Sequence, residues 1–99
     1  SGQLCLEDRV RLRGNHVPVE LAVAEGGVLS IGSRTFINSG TSISAVTQVF
    51  IGKRVAIGNY VLIMDSDFHD VSDHTQPGKS APIYIEDDVW IAARATILK

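Results

Sequence analysis

Branched aliphatic residues recur at every sixth position along most of this chain, and a small or β-branched residue usually follows four positions later. The recurring aliphatics are Leu6, Leu12, Ile31, Ile37, Ile43, Ile51, Ile57, Ile63, Ile85, Ile91 and Ile97. The series slips by two residues between Ile43 and Ile51, and it stops between Ile63 and Ile85. Residues six apart point to different faces of an α-helix, so this spacing argues against amphipathic helices.

Short strands joined by tight turns explain the six-residue period. β-Branched residues favour strands, and the recurrent Gly and Asn favour turns. If each six residues form one strand and one corner, three such units close a triangular coil. Successive coils then stack as parallel strands about 4.8 Å apart, with every sixth side chain inside. We therefore predict an all-β fold, a parallel β-helix, with a β-sandwich of accidental spacing as the alternative.

The pattern divides the 99 residues into the parts of one domain. We predict an irregular N-terminal coil over residues 1–28, followed by hexapeptide repeats over 29–63 and 85–99. Residues 64–84 interrupt the repeats and are predicted to form one long extruded loop. Loops of this length in compact domains are usually functional.

Composition narrows the functional classes. The chain is 44% hydrophobic and 20% charged, which is typical of a globular domain and not of a disordered one. A net charge of -2, with acids and bases interspersed, gives no indication of nucleic-acid binding. No apolar run is long enough to span a membrane. The single cysteine, Cys5, favours a reducing compartment, so we predict a cytoplasmic protein.

The repeats from about Leu29 to Lys99 resemble those of the hexapeptide-repeat family, and the resemblance implies a left-handed β-helix. Two further segments are similar to its acetyltransferase branch, which includes galactoside, maltose, polysaccharide and xenobiotic O-acetyltransferases. One is the loop sequence DFHD at residues 67–70, and the other is IEDDVWI at residues 85–91. The resemblance implies transfer of an acetyl group from acetyl-CoA to a hydroxyl of a sugar or similar small molecule.

By this resemblance His69 is the general base that takes the proton of the acceptor hydroxyl. Imidazole suits that task, because its unperturbed pKa of about 6.5 lies near neutral pH. The second ring nitrogen needs a partner, and a backbone carbonyl, Asp65, Asp67 or Asp70 would each serve. Asp65 and Asp67 are also assigned to acceptor binding. The alternative interpretation is that His69, a histidine among aspartates, is simply solvated.

The same resemblance places three further residues in the site. Asn38 would contact the acceptor and Trp90 the cofactor. The backbone N–H of Ala93 would lie near the thioester, where a fixed donor stabilises developing negative charge. Asn38 is also a common kind of turn residue, and Trp90 equally suits a corner-packing aromatic or a trimer contact. Active sites of the family lie between subunits, which implies a homotrimer.

Two other functions fit part of the pattern. Hexapeptide-repeat carbonic anhydrases hold zinc with three histidines. In this chain His69 and His74 would need His16 as the third zinc ligand, and His16 lies far upstream. We therefore expect no metal. A non-catalytic β-helical scaffold is the other alternative.

Members of the acetyltransferase branch continue for several coils beyond the Trp-Ile segment, so we expect either a fragment of a longer enzyme or a short form with impaired CoA binding.

Overall fold

The computed structural model describes residues 2–66 and 80–99. Within these ranges every regular element is a short β-strand, and none is a helix that could cross a membrane. The strands are β1 (Gln3–Leu6), β2 (Arg11–Leu12), β3 (Glu20–Val23), β4 (Val28–Ile31), β5 (Phe36–Ile37), β6 (Ser42–Ala45), β7 (Gln48–Ile51), β8 (Ala56–Ile57), β9 (Leu62–Met64), β10 (Ile83–Ile85), β11 (Trp90–Ile91) and β12 (Thr96–Leu98). The prediction of an all-β fold is confirmed.

The chain visits three sheets in strict rotation. The first sheet has the order β1-β4-β7-β10, the second β2-β5-β8-β11 and the third β3-β6-β9-β12. All of these strand pairings are parallel. Each set of three consecutive strands therefore forms one coil, and the described coils stack into a β-helix-like solenoid.

The six-residue period produces the interior of this solenoid. In the second sheet Ile37 pairs with Ile57, and Ile57 in turn pairs with Ile91, so one side-chain column points inward through successive coils. The recurring aliphatics of the middle coils are at most 1% exposed: Ile31, Ile37, Ile43, Ile51, Ile57 and Ile63. Burial of each such side chain stabilises the fold by about 1.5–3 kcal/mol.

Two buried threonines stand four positions after Ile31 and Ile37, where the sequence places a compact residue. The hydroxyl of Thr41 donates to the carbonyl of Gly58 at 2.9 Å and accepts from the N–H of Val61 at 3.2 Å. Thr35 makes the equivalent pair of bonds to the next coil. Each threonine therefore satisfies two backbone groups that would otherwise be buried without partners.

Replacing Thr41 with valine is expected to lower the free energy of unfolding by about 1–3 kcal/mol, because the shape is kept while buried backbone groups lose their partner. Thr96→Val is the matched control on an exposed strand position, with an expected change below about 0.5 kcal/mol. Urea denaturation of both variants measures the difference. Equal stability of the two would contradict the role assigned to Thr41.

The strand bounds can be compared with the predicted parts in two places, and the division into parts stays a prediction. Residues 1–28 contain β1, β2 and β3, which pair in register with the following coil and join the same three sheets. Their less regular spacing reflects the longer connection from β2 to β3, over residues 13–19. At the interruption, β9 continues through Met64 and β10 begins at Ile83, so residues 65–82 connect the two strands.

Candidate functional site

The interruption is confined to one corner of the solenoid, where the chain passes from the third sheet to the first. One coil earlier, only Val46 and Thr47 separate β6 from β7 at the same corner. After residues 65–82 the chain resumes the solenoid in register, since Ile83 pairs with Val49. The long connection is therefore an insertion that leaves the coil order intact.

Asp65 fastens the start of this insertion to the corner of the preceding coil. One carboxylate oxygen accepts the N–H of Val46 at 2.7 Å, and the other accepts those of Thr47 and Gln48, both at 2.8 Å. The backbone carbonyl of Asp65 also accepts the N–H of Ala81, at 3.0 Å. The residue is 0% exposed, so its carboxylate replaces water for three backbone donors.

The two ends of the insertion are joined beside Asp65. Ser66 and Ser80 form an antiparallel bridge, and the hydroxyl of Thr47 donates to the Ser80 hydroxyl oxygen at 2.7 Å. The described residues on either side of 67–79 therefore lie next to each other at this corner. Both residues that flank the intervening stretch, Ser66 and Ser80, are therefore held against the solenoid.

The principal predicted site residues fall within that intervening stretch. His69 and Asp67, like Asp70 and His74, lie outside the described residues, so their roles stay predictions. Asp65 is described, and both of its carboxylate oxygens are engaged by backbone N–H groups. Sequence reasoning missed this structural role, and the predicted contact of Asp65 with an acceptor gains no support from it.

Asn38 lies at a different corner, where the chain passes from the second sheet to the third. Its side-chain oxygen accepts the N–H of Ser39 at 2.8 Å, and its own N–H donates to the carbonyl of Ile57 at 3.0 Å. Asn38 thus acts as the turn residue that the sequence offered as its alternative role. Its contact with an acceptor stays a prediction.

Trp90 and Ala93 belong to the last described coil. Trp90 pairs with Ala56 in the second sheet and is 78% exposed, the most exposed of the large hydrophobic side chains that the structure describes. Ala93 is also exposed and follows β11 at the same corner type as Asn38. The register of the second sheet, extended by one residue, stacks Asn38, Gly58 and Ala92 on successive coils. Asn38 and Ala92 are therefore two coil spacings apart, about 10 Å.

An ion pair joins neighbouring coils at another corner, where the first sheet passes to the second. The Arg54 guanidinium donates to both carboxylate oxygens of Asp88, at 2.8 and 3.1 Å. Hydrogen bonding from Arg54 lowers the pKa of Asp88 below its ordinary value. The carboxylate of Asp87 accepts the backbone N–H of Lys53 at 2.7 Å. Sequence reasoning missed the ion pair, although the opposite charges of Arg54 and Asp88 at equivalent repeat positions were a visible signal.

No family model, curated protein or solved structure matches the chain. Among residues 2–66 and 80–99, no group of three or more His, Cys, Asp or Glu side chains is arranged to hold a metal ion.

Proposed function

We propose that this chain is a left-handed parallel β-helix that transfers an acetyl group from acetyl-CoA to a hydroxyl of a sugar or similar small molecule. The observation that carries the proposal is the insertion of residues 65–82 at one corner of an otherwise regular solenoid. The coil resumes in register after the insertion, and Ser66 and Ser80 pair with each other, so the coil order gives no reason for the residues between them, 67–79. Their sequence supplies His69 within DFHD.

His69 is proposed to take the proton of the acceptor hydroxyl as its oxygen attacks the thioester carbonyl carbon. The resulting tetrahedral intermediate collapses with cleavage of the carbon–sulfur bond, and the proton passes from the imidazolium to the departing thiolate. Positioned general-base catalysis of this kind is typically worth about 10²–10⁴-fold in rate.

The backbone N–H of Ala93 is proposed to donate to the oxyanion of that intermediate. In support, Ala93 is exposed, and its N–H has no acceptor among the described residues. The N–H groups of Ser39 and Lys53, at equivalent repeat positions, donate to Asn38 and Asp87, whereas that of Asn59, like that of Ala93, has no acceptor among the described residues. A donor held by the solenoid and left open suits a transition-state contact.

A homotrimer would bring these groups together. Within one chain the insertion leaves the third-to-first corner, whereas Asn38 and Ala93 lie at the second-to-third corner. We propose that the insertion of one subunit faces the second-to-third corner of its neighbour, with the exposed Trp90 available to the pantetheine arm or to that neighbour. A cytoplasmic location belongs to the same proposal.

Release of free thiol from acetyl-CoA, measured with a panel of sugars and aminoglycosides, tests the proposal. We expect His69→Ala to lower the rate by about 10²–10⁴-fold. His74→Ala is the matched control in the same segment and is expected to keep the rate within about threefold, because no catalytic step is assigned to it. Analysis of the reaction mixture for an O-acetylated acceptor identifies the product.

Three results would contradict the acetyltransferase. Equal rates for the wild type and His69→Ala would remove the general base. Stoichiometric bound zinc, detected by elemental analysis, would favour the carbonic-anhydrase alternative. Thiol release by the folded wild type that does not exceed the uncatalysed rate would favour a scaffold.

A further inference from the structure

Arginine occupies an unusual backbone conformation at four corners of the described solenoid. The φ angles of Arg9, Arg34, Arg54 and Arg94 are 60°, 63°, 53° and 65°, in the left-handed region. Residues other than glycine are uncommon there, and Asn and Asp are the usual exceptions. Because arginine has no backbone advantage in this region, the contacts of its side chain are the remaining reason for its presence at these corners.

Two of these arginines have partners one coil away. Arg54 forms the paired hydrogen bonds to Asp88, and the guanidinium carbon of Arg94 lies 5.3 Å from the centre of the Tyr60 ring. An ion pair and a cation–π contact account for these two side chains. Both contacts join neighbouring coils.

The other two, Arg9 and Arg34, line an open depression together with Arg11, with a volume of about 500 Å³. The Arg11 guanidinium carbon lies 5.1 Å from the centre of the Phe36 ring, which restrains its orientation. The Nε of Arg9 lies 3.6 Å from the Oδ2 of Asp8. The two side chains are 66% and 83% exposed, so this ion pair is weak. Arg34 has no ion pair among the described residues.

Two carboxylates at this corner offset only part of the charge of the three arginines, which leaves a local charge of +1. Glu7 accepts the N–H of Ser33 at 3.0 Å, and Asp8 lies beside Arg9. Three guanidinium groups thus converge on one depression in a protein whose net charge is -2. Like charges brought together raise the free energy of the surface unless an anion joins them.

We propose that Arg9, Arg11 and Arg34 bind the phosphate of a small phosphorylated molecule. Guanidinium groups match phosphate oxygens with paired hydrogen bonds, and three of them favour a group that carries more than one negative charge. A volume of about 500 Å³ suits a small ligand and not an extended polymer. Arg9 and Arg34 lie at first-to-second corners, whereas the residues proposed for acetyl transfer belong to the other two corners, so the two proposals are independent.

Calorimetric titration with inorganic pyrophosphate tests this site. Pyrophosphate serves as the probe in place of the phosphorylated molecule. We expect saturable binding to the wild type, and a loss of affinity of about tenfold or more in Arg34→Gln and in Arg11→Gln, since each removes charge-assisted hydrogen bonds. Arg94→Gln is the matched control, because Arg94 shares the left-handed conformation but stacks on Tyr60. Its affinity should stay within about twofold, and circular dichroism verifies that each variant is folded.

The proposal is overturned by the absence of saturable pyrophosphate binding to the wild type. It is also overturned if Arg34→Gln binds as tightly as the wild type, or if Arg94→Gln loses as much affinity as Arg34→Gln, because the attraction is then spread over the surface. A further arm uses vesicles of phosphatidylglycerol. Binding to those vesicles that pyrophosphate does not displace would assign the arginines to a membrane surface and would also overturn the proposal.

Discussion

Replacing Asp65 with alanine is expected to lower the free energy of unfolding by at least about 3 kcal/mol. The substitution leaves the N–H groups of Val46, Thr47 and Gln48 without their acceptor, and a buried donor without a partner costs about 1–3 kcal/mol. Asp65→Asn should cost less, because its remaining oxygen can still accept the N–H groups of Thr47 and Gln48 while the amide faces Val46.

Asp87→Ala is the matched control for this prediction. Asp87 also accepts a backbone N–H from the neighbouring coil, that of Lys53, but it is exposed and accepts only one such bond among the described residues. Its loss should cost no more than about 1 kcal/mol, because water can replace the carboxylate. Urea denaturation followed by circular dichroism compares the three variants with the wild type.

Hydrogen exchange locates the effect of the Asp65 substitution within the solenoid. The amides of Val46, Thr47 and Gln48 should exchange faster in Asp65→Ala, and those of the opposite corner at Tyr60 should change only with global stability. Equal stability of Asp65→Ala and Asp87→Ala, with unchanged exchange at residues 46–48, would contradict the fastening role.

The interior of the solenoid follows directly from the sequence. A buried column needs one apolar residue per strand at a constant interval, so Ile37 and Ile57 were assigned to the inside from spacing alone, and both are buried. The two-residue slip before Ile51 likewise marks the short corner at Val46 and Thr47. These features are local, because each coil repeats the pattern of the one before it.

The role of Asp65 was not predictable in this way. Its partners lie 17 to 19 residues earlier, and nothing in the repeat indicates that their three N–H groups converge on one point. A carboxylate next to a histidine-containing segment also suggests chemistry, which drew Asp65 into the predicted site. The pairing of Arg54 with Asp88, 34 residues apart, is non-local for the same reason.

The sequence predicted the insertion and named individual site residues, but it did not predict how those residues are arranged around the solenoid. The sequence identified the insertion, and the structure shows that its root is fixed by Asp65, Ser66 and Ser80. The sequence analysis did not place Asn38 and Ala93 at another corner, although counting the recurring aliphatics in threes from Ile37 gives that result. The assignment of His69 as the base stays a prediction.

Replacing residues 67–79 with Asn-Gly is expected to leave the solenoid folded and to abolish acetyl transfer. Ser66 and Ser80 already pair in antiparallel fashion, and Asn-Gly forms the two-residue turn that connects such a pair. Asp65 and Ala81 keep their contacts, so the unfolding midpoint in urea should be close to that of the wild type. The His74→Ala protein, carried through the same preparation, serves as the control with the segment present.

The rate of thiol release from acetyl-CoA by this shortened protein is the decisive measurement, because it separates the solenoid from the segment that carries His69. We expect a folded protein whose rate equals the uncatalysed one. A folded protein that retains the wild-type rate would show that the chemistry lies elsewhere on the solenoid and would refute the role proposed for residues 67–79.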